Sequence, residues 1–146
     1  MKTVQEILNS KGKQVWTISG DDIIKEALAM MVDKNIGAIV VTDADNDVRG
    51  IISERDFVRF CNKTNATELT AAKISDVMTC RVICVNPNQS IENCMALMTE
   101  KKMRHLPVLN EGKLCGLISI GDVVKALHNE KDYLIDQLEH YIAGTL

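Results

Sequence analysis

Aromatic residues are scarce in this chain: two Phe, two Tyr and one Trp make up 3% of its 146 residues. Apolar residues still amount to 46%, so a core has to be built from Ile, Val, Leu, Met and Ala. With 25% charged residues, the composition is typical of a folded globular protein and excludes extended disorder. The length allows one compact domain with a real core.

A net positive charge and long apolar runs are also missing. The net charge is −3, whereas a nucleic-acid surface needs a basic patch, so we expect no nucleic-acid partner. No apolar run approaches the roughly 18 residues of a membrane-spanning helix. The first ten residues, MKTVQEILNS, lack the apolar stretch of a signal peptide. We therefore expect a cytoplasmic protein with no membrane partner.

The chain lacks the motifs of metal, redox and hydrolytic chemistry. Its five cysteines are an odd number without CxxC spacing, which argues against a disulfide framework and against zinc. No GxxxxGK[ST], HExxH or GxSxG motif occurs. We predict no metal site, no catalytic residues and no enzymatic activity. The cysteines, expected to be free thiols, are Cys61, Cys80, Cys84, Cys94 and Cys115.

The sequence contains an internal repeat. When residues 17–43 are aligned with residues 84–110, Ile24 meets Ile91 at a constant offset of 67 positions. The offset falls to 66 at Gly50 and Gly116, so the first copy has one extra residue in the preceding turn. Turns accept such a change most easily. The chain is therefore expected to contain two copies of one structural unit.

Each copy reads as β-α-β-β-α, which predicts an α/β (α+β) fold of two repeats with pseudo-twofold symmetry. One copy of roughly 60 residues buries too little surface for secure stability, and packing the two copies together solves this. The expected strands are 15–18, 38–42 and 48–53, then 81–85, 106–109 and 114–119. We divide the chain into a lead-in (1–14), repeat 1 (15–74), repeat 2 (75–128) and a C-terminal helix (129–146).

The C-terminal segment 130–144 belongs to neither copy. Leu134, Leu138 and Tyr141 lie at helical spacing, and Gly144 suits the position just after a helix. This helix is expected either to cover the module or to join a second subunit, and the sequence leaves both alternatives open.

The repeated heptads GIISERD (50–56) and GLISIGD (116–122) each end in Ser-x-x-Asp. The simplest interpretation is a capping box, in which Ser and Asp satisfy backbone N–H groups at a helix start. The same geometry also suits a nucleotide. A helix N-terminus binds phosphate, and an Asp in the first turn accepts hydrogen bonds from ribose hydroxyls. Arg55 adds a cation whose counterpart is Gly121, so the two sites should differ.

Two such units joined through a V-M-T segment resemble a tandem pair of cystathionine β-synthase (CBS) domains. The stretches NIGAIVVTD, GIISERD, ISDVMTCRV and MRHLPVLNEGKLCGLISIGD carry the resemblance, which runs over residues 15–128. The chain is most similar to stand-alone CBS-pair proteins, which are related to the insert of inosine monophosphate dehydrogenase. The resemblance implies a homodimer with two clefts per chain that bind AMP, ADP, ATP, NAD(H) or S-adenosylmethionine.

The resemblance also implies which residues line the clefts. In cleft 1, ribose and phosphate would meet the heptad 50–56 while the base lies against repeat 2. In cleft 2 the roles of the repeats are exchanged. The implied residues are Ser53, Arg55, Asp56, Asn86, Ile91, Met103, Arg104 and His105 for cleft 1, and Ser19, Ile24, Ile36, Gly37, Ala38, Ser119 and Asp122 for cleft 2.

Two functions from different classes remain open at this point. The first is a non-catalytic sensor that binds an adenosine nucleotide and changes shape. The second is an interaction module that regulates a partner enzyme, with vestigial clefts. Arg55, Asp56 and Arg104 favour the sensor. An enzyme acting on a nucleotide would need a base near the phosphate, for which only His105 is available.

Overall fold

The strands of the protein form two sheets, one in each repeat. They are taken from a computed structural model that describes residues 2–12, 14–65, 68–69 and 71–143. In repeat 1 the order is β1-β2-β3, with β1 parallel and β3 antiparallel to β2. In repeat 2, β4 and β5 pair antiparallel. The strands are β1 (Thr17–Ser19), β2 (Ala38–Thr42), β3 (Val48–Ser53), β4 (His105–Asn110) and β5 (Lys113–Ser119).

Helices follow the strands in the predicted order, which confirms the mixed α/β fold of two repeats. Both heptads run from a strand directly into a helix, β3 into α3 and β5 into α6. The apolar residues at helical spacing in α2 and α5 face the cores, where Ile24 and Ile91 are fully buried. The helices are α1 (Val4–Lys11), α2 (Ile24–Lys34), α3 (Glu54–Lys63), α4 (Ile74–Val77), α5 (Ile91–Lys101) and α6 (Ile120–Ala143).

The strand predicted at residues 81–85 does not form. Only Val85 pairs, in an isolated parallel bridge with Val108. Its N–H donates to Pro107 O at 3.0 Å, and its carbonyl accepts from Leu109 N–H at 2.9 Å. Pro107 stands where repeat 1 has Val40, the partner of Thr17 in β1. Because proline has no N–H, the ladder cannot extend as it does in repeat 1.

The two repeats exchange their leading helices. α1 precedes repeat 1 in the chain but packs on repeat 2, where Val4, Ile7 and Leu8 belong to the buried core. α4 precedes strands β4 and β5 but packs on repeat 1, where Ile74 is fully buried with Ile18. Each core is therefore completed by a helix from the other half of the chain, which ties the halves together.

The C-terminal part of α6 extends away from the module. The helix is continuous over 24 residues, and its last large apolar side chains are more than half exposed. Of the two alternatives left open by the sequence, covering the module is therefore wrong for the described residues. Gly144 lies outside them. No described helix is long and apolar enough to cross a membrane. The exposed side chains are Tyr133, Leu134, Ile135, Leu138, Tyr141 and Ile142.

Candidate ligand-binding cleft

Ser53 and Asp56 form a complete capping box at the start of α3. The Asp56 N–H donates to Ser53 Oγ at 3.3 Å, and the Ser53 N–H donates to Asp56 Oδ2 at 2.9 Å. Asp56 is only 7% exposed. The helix-capping role expected from the sequence is thus present, and it fixes where the carboxylate lies.

Thr79, in the segment that joins the repeats, holds the other oxygen of the same carboxylate. Its hydroxyl donates to Asp56 Oδ1 at 2.8 Å. Its backbone pairs with Ile51 in both directions, at 3.0 and 2.8 Å. The sequence analysis assigned no role to Thr79, although the residue stands in the V-M-T segment that carries the family resemblance. Asp56 is therefore positioned by two chain segments.

A cleft of about 730 Å³ opens beside this carboxylate, between the start of α3, the joining segment and the end of α5. Small-molecule sites usually have volumes of about 300–1,000 Å³. Elements of both repeats therefore line one cavity. Its lining residues are Gly37, Ile51, Ser53, Glu54, Arg55, Asp56, Arg59, Thr79, Arg81, Val82, Ile83, Lys101, Lys102, Met103, Arg104 and His105.

Most residues expected in cleft 1 lie in this cavity, but two do not line it. The Asn86 side chain accepts from the Asn88 N–H at 2.9 Å in a surface turn. Ile91 is fully buried in the core of repeat 2 and offers no surface to a ligand. The expected residues that do line the cavity are Ser53, Arg55, Asp56, Met103, Arg104 and His105.

The cavity contains four cations that the sequence analysis did not assign. Arg59 lies one helical turn after Arg55, a spacing that could have revealed it. The other three come from the joining segment and the end of α5. Within the described part of the chain, no cation of this cavity forms an ion pair. The unassigned cations are Arg59, Arg81, Lys101 and Lys102.

His105 lies where the two repeats meet, as the first residue of β4 opposite Ser119. Burial, and then the charge of Lys11, lower the pKa of His105 below its ordinary value, although Asp122 and Glu54 act in the opposite direction. The neutral imidazole is therefore favoured in the protein without ligand.

In the second heptad the capping box recurs with a different partner. The Ser119 N–H donates to Asp122 Oδ2 at 2.8 Å, and the Asp122 N–H donates to Ser119 Oγ at 3.2 Å. Lys11, at the end of α1, donates to the same Oδ2 at 2.7 Å and to Leu117 O at 2.7 Å. Burial alone would raise the pKa of Asp122, but the bonds from Lys11 and Ser119 outweigh it and lower that pKa.

The other residues expected in cleft 2 lie apart. Ile24 and Ala38 are almost completely buried, and Ile36 packs against the core of repeat 1. Gly37 lines the cavity beside Asp56. Ser19 lies in a separate groove of about 770 Å³ next to α4. The structure therefore does not bring the cleft 2 residues together as one lining.

Three carboxylates cluster beside that separate groove, in the turn before β3. Oxygens of Asp43, Asp45 and Asp47 lie within 4.8 Å of one another. Asp43 accepts from the N–H groups of Asp45 and Asp47 and from Arg49 Nε. The N–H of Asp47 is the main cause that lowers the pKa of Asp43. These contacts account for the cluster as a turn stabilised by its own backbone.

Two repeats that exchange helices and enclose a cation-lined cavity define a module of internal symmetry. The family model described as "CBS domain" matches residues 4–63 and 74–129. The chain belongs to the CBS domain family, as a tandem pair.

The similar proteins include a CBS domain-containing protein and a larger enzyme that matches in one part only. "CBS domain-containing protein CBSX3, mitochondrial" of Arabidopsis thaliana is 33% identical over 97% of this chain and 72% of that protein. Inosine-5′-monophosphate dehydrogenase of Methanocaldococcus jannaschii is 32% identical over 77% of this chain but only 22% of the enzyme. The similarity to the dehydrogenase is therefore confined to one part of it.

Solved structures agree with the fold. The CBS-domain protein ATU1752 of Agrobacterium tumefaciens is 42% identical, with a TM-score of 0.82 over 86% of this chain and 98% of that chain. The structure of CBSX2 in complex with AMP is 25% identical, with a TM-score of 0.73 over 90% of this chain and 99% of that chain.

Proposed function

We propose that this protein is a non-catalytic regulatory sensor that binds an adenosine nucleotide in the cavity beside Asp56. The observation that carries the proposal is that one cavity between the repeats contains a positioned carboxylate together with six cations that form no ion pair among the described residues. A carboxylate suits the two hydroxyls of a ribose, and cations suit phosphate. A ligand that contacts both repeats shifts the protein toward the arrangement of the repeats that it binds more tightly.

The contacts of Asp56 support its role toward ribose. Its Oδ1 accepts a single hydrogen bond among the described residues, from Thr79. A carboxylate oxygen has two lone pairs, so one acceptor position remains for a ligand hydroxyl. Arg55, the residue before Asp56, lies at the N-terminal end of α3, where the helix dipole also favours an anion.

The comparisons support adenosine as the nucleoside. CBSX2 was solved with AMP, and it shares the fold over most of this chain. Ile83 and Met103 both line the cavity, and their apolar side chains suit a base. ADP, ATP, NAD(H) and S-adenosylmethionine are further ligands implied by the family resemblance.

We further propose that the two heptads serve unequal sites. Asp122 is already paired with Lys11, which occupies the carboxylate from within the chain. Asp56 instead accepts from a neutral hydroxyl, that of Thr79. Gly121 in place of Arg55 adds to the difference. We therefore expect one tight nucleotide site per chain, beside Asp56.

The alternative function is an interaction module that regulates a partner enzyme. The observation that favours it is the apolar end of α6, which no described part of the chain covers. A sensor also needs an output, so the two proposals are compatible through a homodimer. The cytoplasmic location expected from the sequence likewise remains a proposal.

The substitution Asp56→Asn tests the sensor. It removes the charged acceptor while retaining the size of the side chain, and a hydrogen bond to a charged group contributes about 1.5–3 kcal/mol. We expect AMP affinity in calorimetry to fall roughly tenfold to a hundredfold. In the parent protein, AMP at a hundred times its dissociation constant should raise the melting temperature by roughly 5–10 °C.

The matched control is Asp122→Asn, because it weakens an equivalent capping box outside the proposed site. It should lower stability without lowering AMP affinity at the Asp56 site. If AMP affinity survives unchanged in the Asp56 variant, both carboxylates are helix caps only and the proposal fails.

A further inference from the structure

We propose that the cavity beside Asp56 is built for a nucleotide with a polyphosphate chain, that is a nucleoside triphosphate, in preference to a nucleoside monophosphate or a cationic adenosyl compound. The inference rests on the proposed function and specifies its ligand. It is carried by the four cations that line the cavity in addition to Arg55 and Arg104, namely Arg59, Arg81, Lys101 and Lys102.

The cations reach the cavity from three chain segments. Arg55 and Arg59 lie on one face of α3, Arg81 follows Thr79 in the joining segment, and three more cations come from the end of α5 and the turn after it. All six side chains are exposed, and none is neutralised by an ion pair among the described residues. The positive charge is therefore spread along the cavity and is available to a ligand.

The internal symmetry provides a comparison within the same chain. At the offsets of 66 and 67, the six cations correspond to two lysines and four neutral residues. One of these lysines, Lys34, is 3.2 Å from Asp33 and lies 4.3 Å above the ring of Trp16. The cation cluster is therefore not a general property of the repeat. The corresponding residues, in the order of Arg55, Arg59, Arg81, Lys101, Lys102 and Arg104, are Gly121, Lys125, Gln14, Lys34, Asn35 and Gly37.

Charge balance decides between ligands. Six cations against the carboxylates of Glu54 and Asp56 leave the lining at 6 − 2 = +4 with His105 neutral, in a chain whose net charge is −3. One phosphate carries about −2 at neutral pH, so a monophosphate neutralises roughly half of this charge. A triphosphate carries roughly twice as much. S-adenosylmethionine, with a sulfonium and an ammonium against one carboxylate, would be repelled.

The helix dipole explains only some of the six cations in the cavity. Lysines in the last turn of a helix complement its dipole, which is sufficient for Lys101. It does not explain Arg55, which lies in the first turn of α3, where the dipole disfavours cations, or Arg59, which lies in the middle of that helix. Nor does it explain Arg81, which is outside any helix.

The experiment measures binding of the full chain to adenosine, AMP, ADP, ATP and S-adenosylmethionine by calorimetry, with EDTA present so that Mg²⁺ does not mask the phosphates. We expect affinity to rise from adenosine through AMP and ADP to ATP, with ATP at least roughly tenfold tighter than AMP. ATP binding should also weaken more steeply with added salt than AMP binding, because more charge is screened.

Single substitutions locate the effect. Arg59→Gln and Lys101→Gln should each lower ATP affinity roughly fivefold to tenfold and change AMP affinity less than about twofold. Lys113→Gln removes the same charge from the exposed start of β5, outside the cavity, and should leave both affinities unchanged.

The outcomes separate this inference from the proposed function. If AMP binds but ATP binds no more tightly, or if Arg59→Gln weakens both ligands equally, the polyphosphate inference is overturned and the nucleotide sensor stands. If no adenosine compound binds, the proposed function and the inference both fall. Inorganic tripolyphosphate that binds as tightly as ATP would also overturn both, because the cavity would then recognise an anion without a nucleoside.

Discussion

At the scale of single residues, two carboxylates in equivalent positions acquire different chemistry from their partners. Asp56 meets a hydroxyl and is almost buried, whereas Asp122 meets an ammonium group and is half-buried. The hydroxyl of Thr79 leaves the negative charge of Asp56 in place for a ligand. The ammonium of Lys11 neutralises Asp122. The two carboxylates therefore differ in which residue another chain segment supplies as a partner.

His105 gives a prediction on pH dependence. Burial lowers its pKa below the ordinary value of 6.5, so the unfolded chain binds this proton more readily than the folded one. Its contribution to stability is therefore present above about pH 6.5 and lost as the pH falls through the folded pKa. The charged groups that face it are Lys11, Arg104, Asp122 and Glu54.

The variant His105→Asn isolates this effect. Urea unfolding of parent and variant at about pH 7.5 and about pH 5.5 gives the difference in unfolding free energy at each pH. We expect the parent to lose more stability than the variant on acidification, because the variant has no imidazole to protonate. Equal losses in both proteins would show that His105 does not titrate in this window.

How well a contact of the site could be predicted depends on how far apart its two residues lie in the sequence. Ser53 and Asp56 are three residues apart, so their capping box could be predicted from a local pattern. Thr79 reaches Asp56 across 23 residues, and Lys11 reaches Asp122 across 111. No local pattern encodes such contacts. The cations at 81, 101 and 102 were missed for the same reason, since only the fold places them in this cavity, whereas Arg59 could have been found from its spacing to Arg55.

At the scale of elements, the repeat pattern predicted helices α2, α3, α5 and α6, but it predicted neither the helices α1 and α4 nor what they pack on. The boundaries of β2 and β3 match the expected ranges 38–42 and 48–53. The exchange of α1 and α4 between the repeats was not predicted, because an amphipathic pattern shows which face of a helix is buried but not against which partner. The missing strand at 81–85 reflects Pro107, which lies in the neighbouring strand and not in the segment itself.

The exchanged α4 gives a prediction at Gly50. A Cβ atom at this position would lie 2.7 Å from Met78 Sδ and 2.7 Å from the carbonyl oxygen of Thr79. That carbonyl accepts from the Ile51 N–H, so it cannot move without weakening the bridge that positions Thr79. We expect Gly50→Ala to lower the unfolding free energy by about 1–3 kcal/mol, measured by chemical denaturation.

Alanine substitutions at two other glycines provide stabilities for comparison. The three atoms nearest to a Cβ at Gly116 would all be side-chain atoms of Leu8, the nearest at 2.5 Å. A side chain shifts more easily than backbone, so Gly116→Ala should cost less than Gly50→Ala. At Gly121 the nearest atom is Ser119 Oγ at 3.6 Å. Since Gly121 is helical, Gly121→Ala should be neutral or stabilising by up to about 1 kcal/mol. A Gly50 variant as stable as the Gly121 variant would contradict the close approach of α4.

At the scale of the whole molecule, the repeat predicted the fold because one unit of this size needs the other to complete its core. What symmetry cannot predict is where the copies diverge. Lys11 beside one carboxylate and six cations beside the other make a symmetric scaffold with one distinctive cavity. The proposed sensor needs a surface that passes its signal on, and we propose the exposed end of α6 for this role.

The last prediction concerns this end of α6, which we expect to join two chains. Leu134, Leu138, Tyr141 and Ile142 recur at helical spacing and are 54–82% exposed, a patch that a monomer rarely leaves uncovered. Light scattering at micromolar concentration should give about twice the 16.2 kDa of one chain. Leu138→Glu places a charge in the patch and should yield the monomer. Asn129→Glu adds the same charge on the side of the helix opposite to Leu138, because nine residues make about two and a half turns. This variant should leave the dimer intact. A parent protein of 16.2 kDa would refute the homodimer, whereas a dimer that tolerates Leu138→Glu would assign the interface to another face.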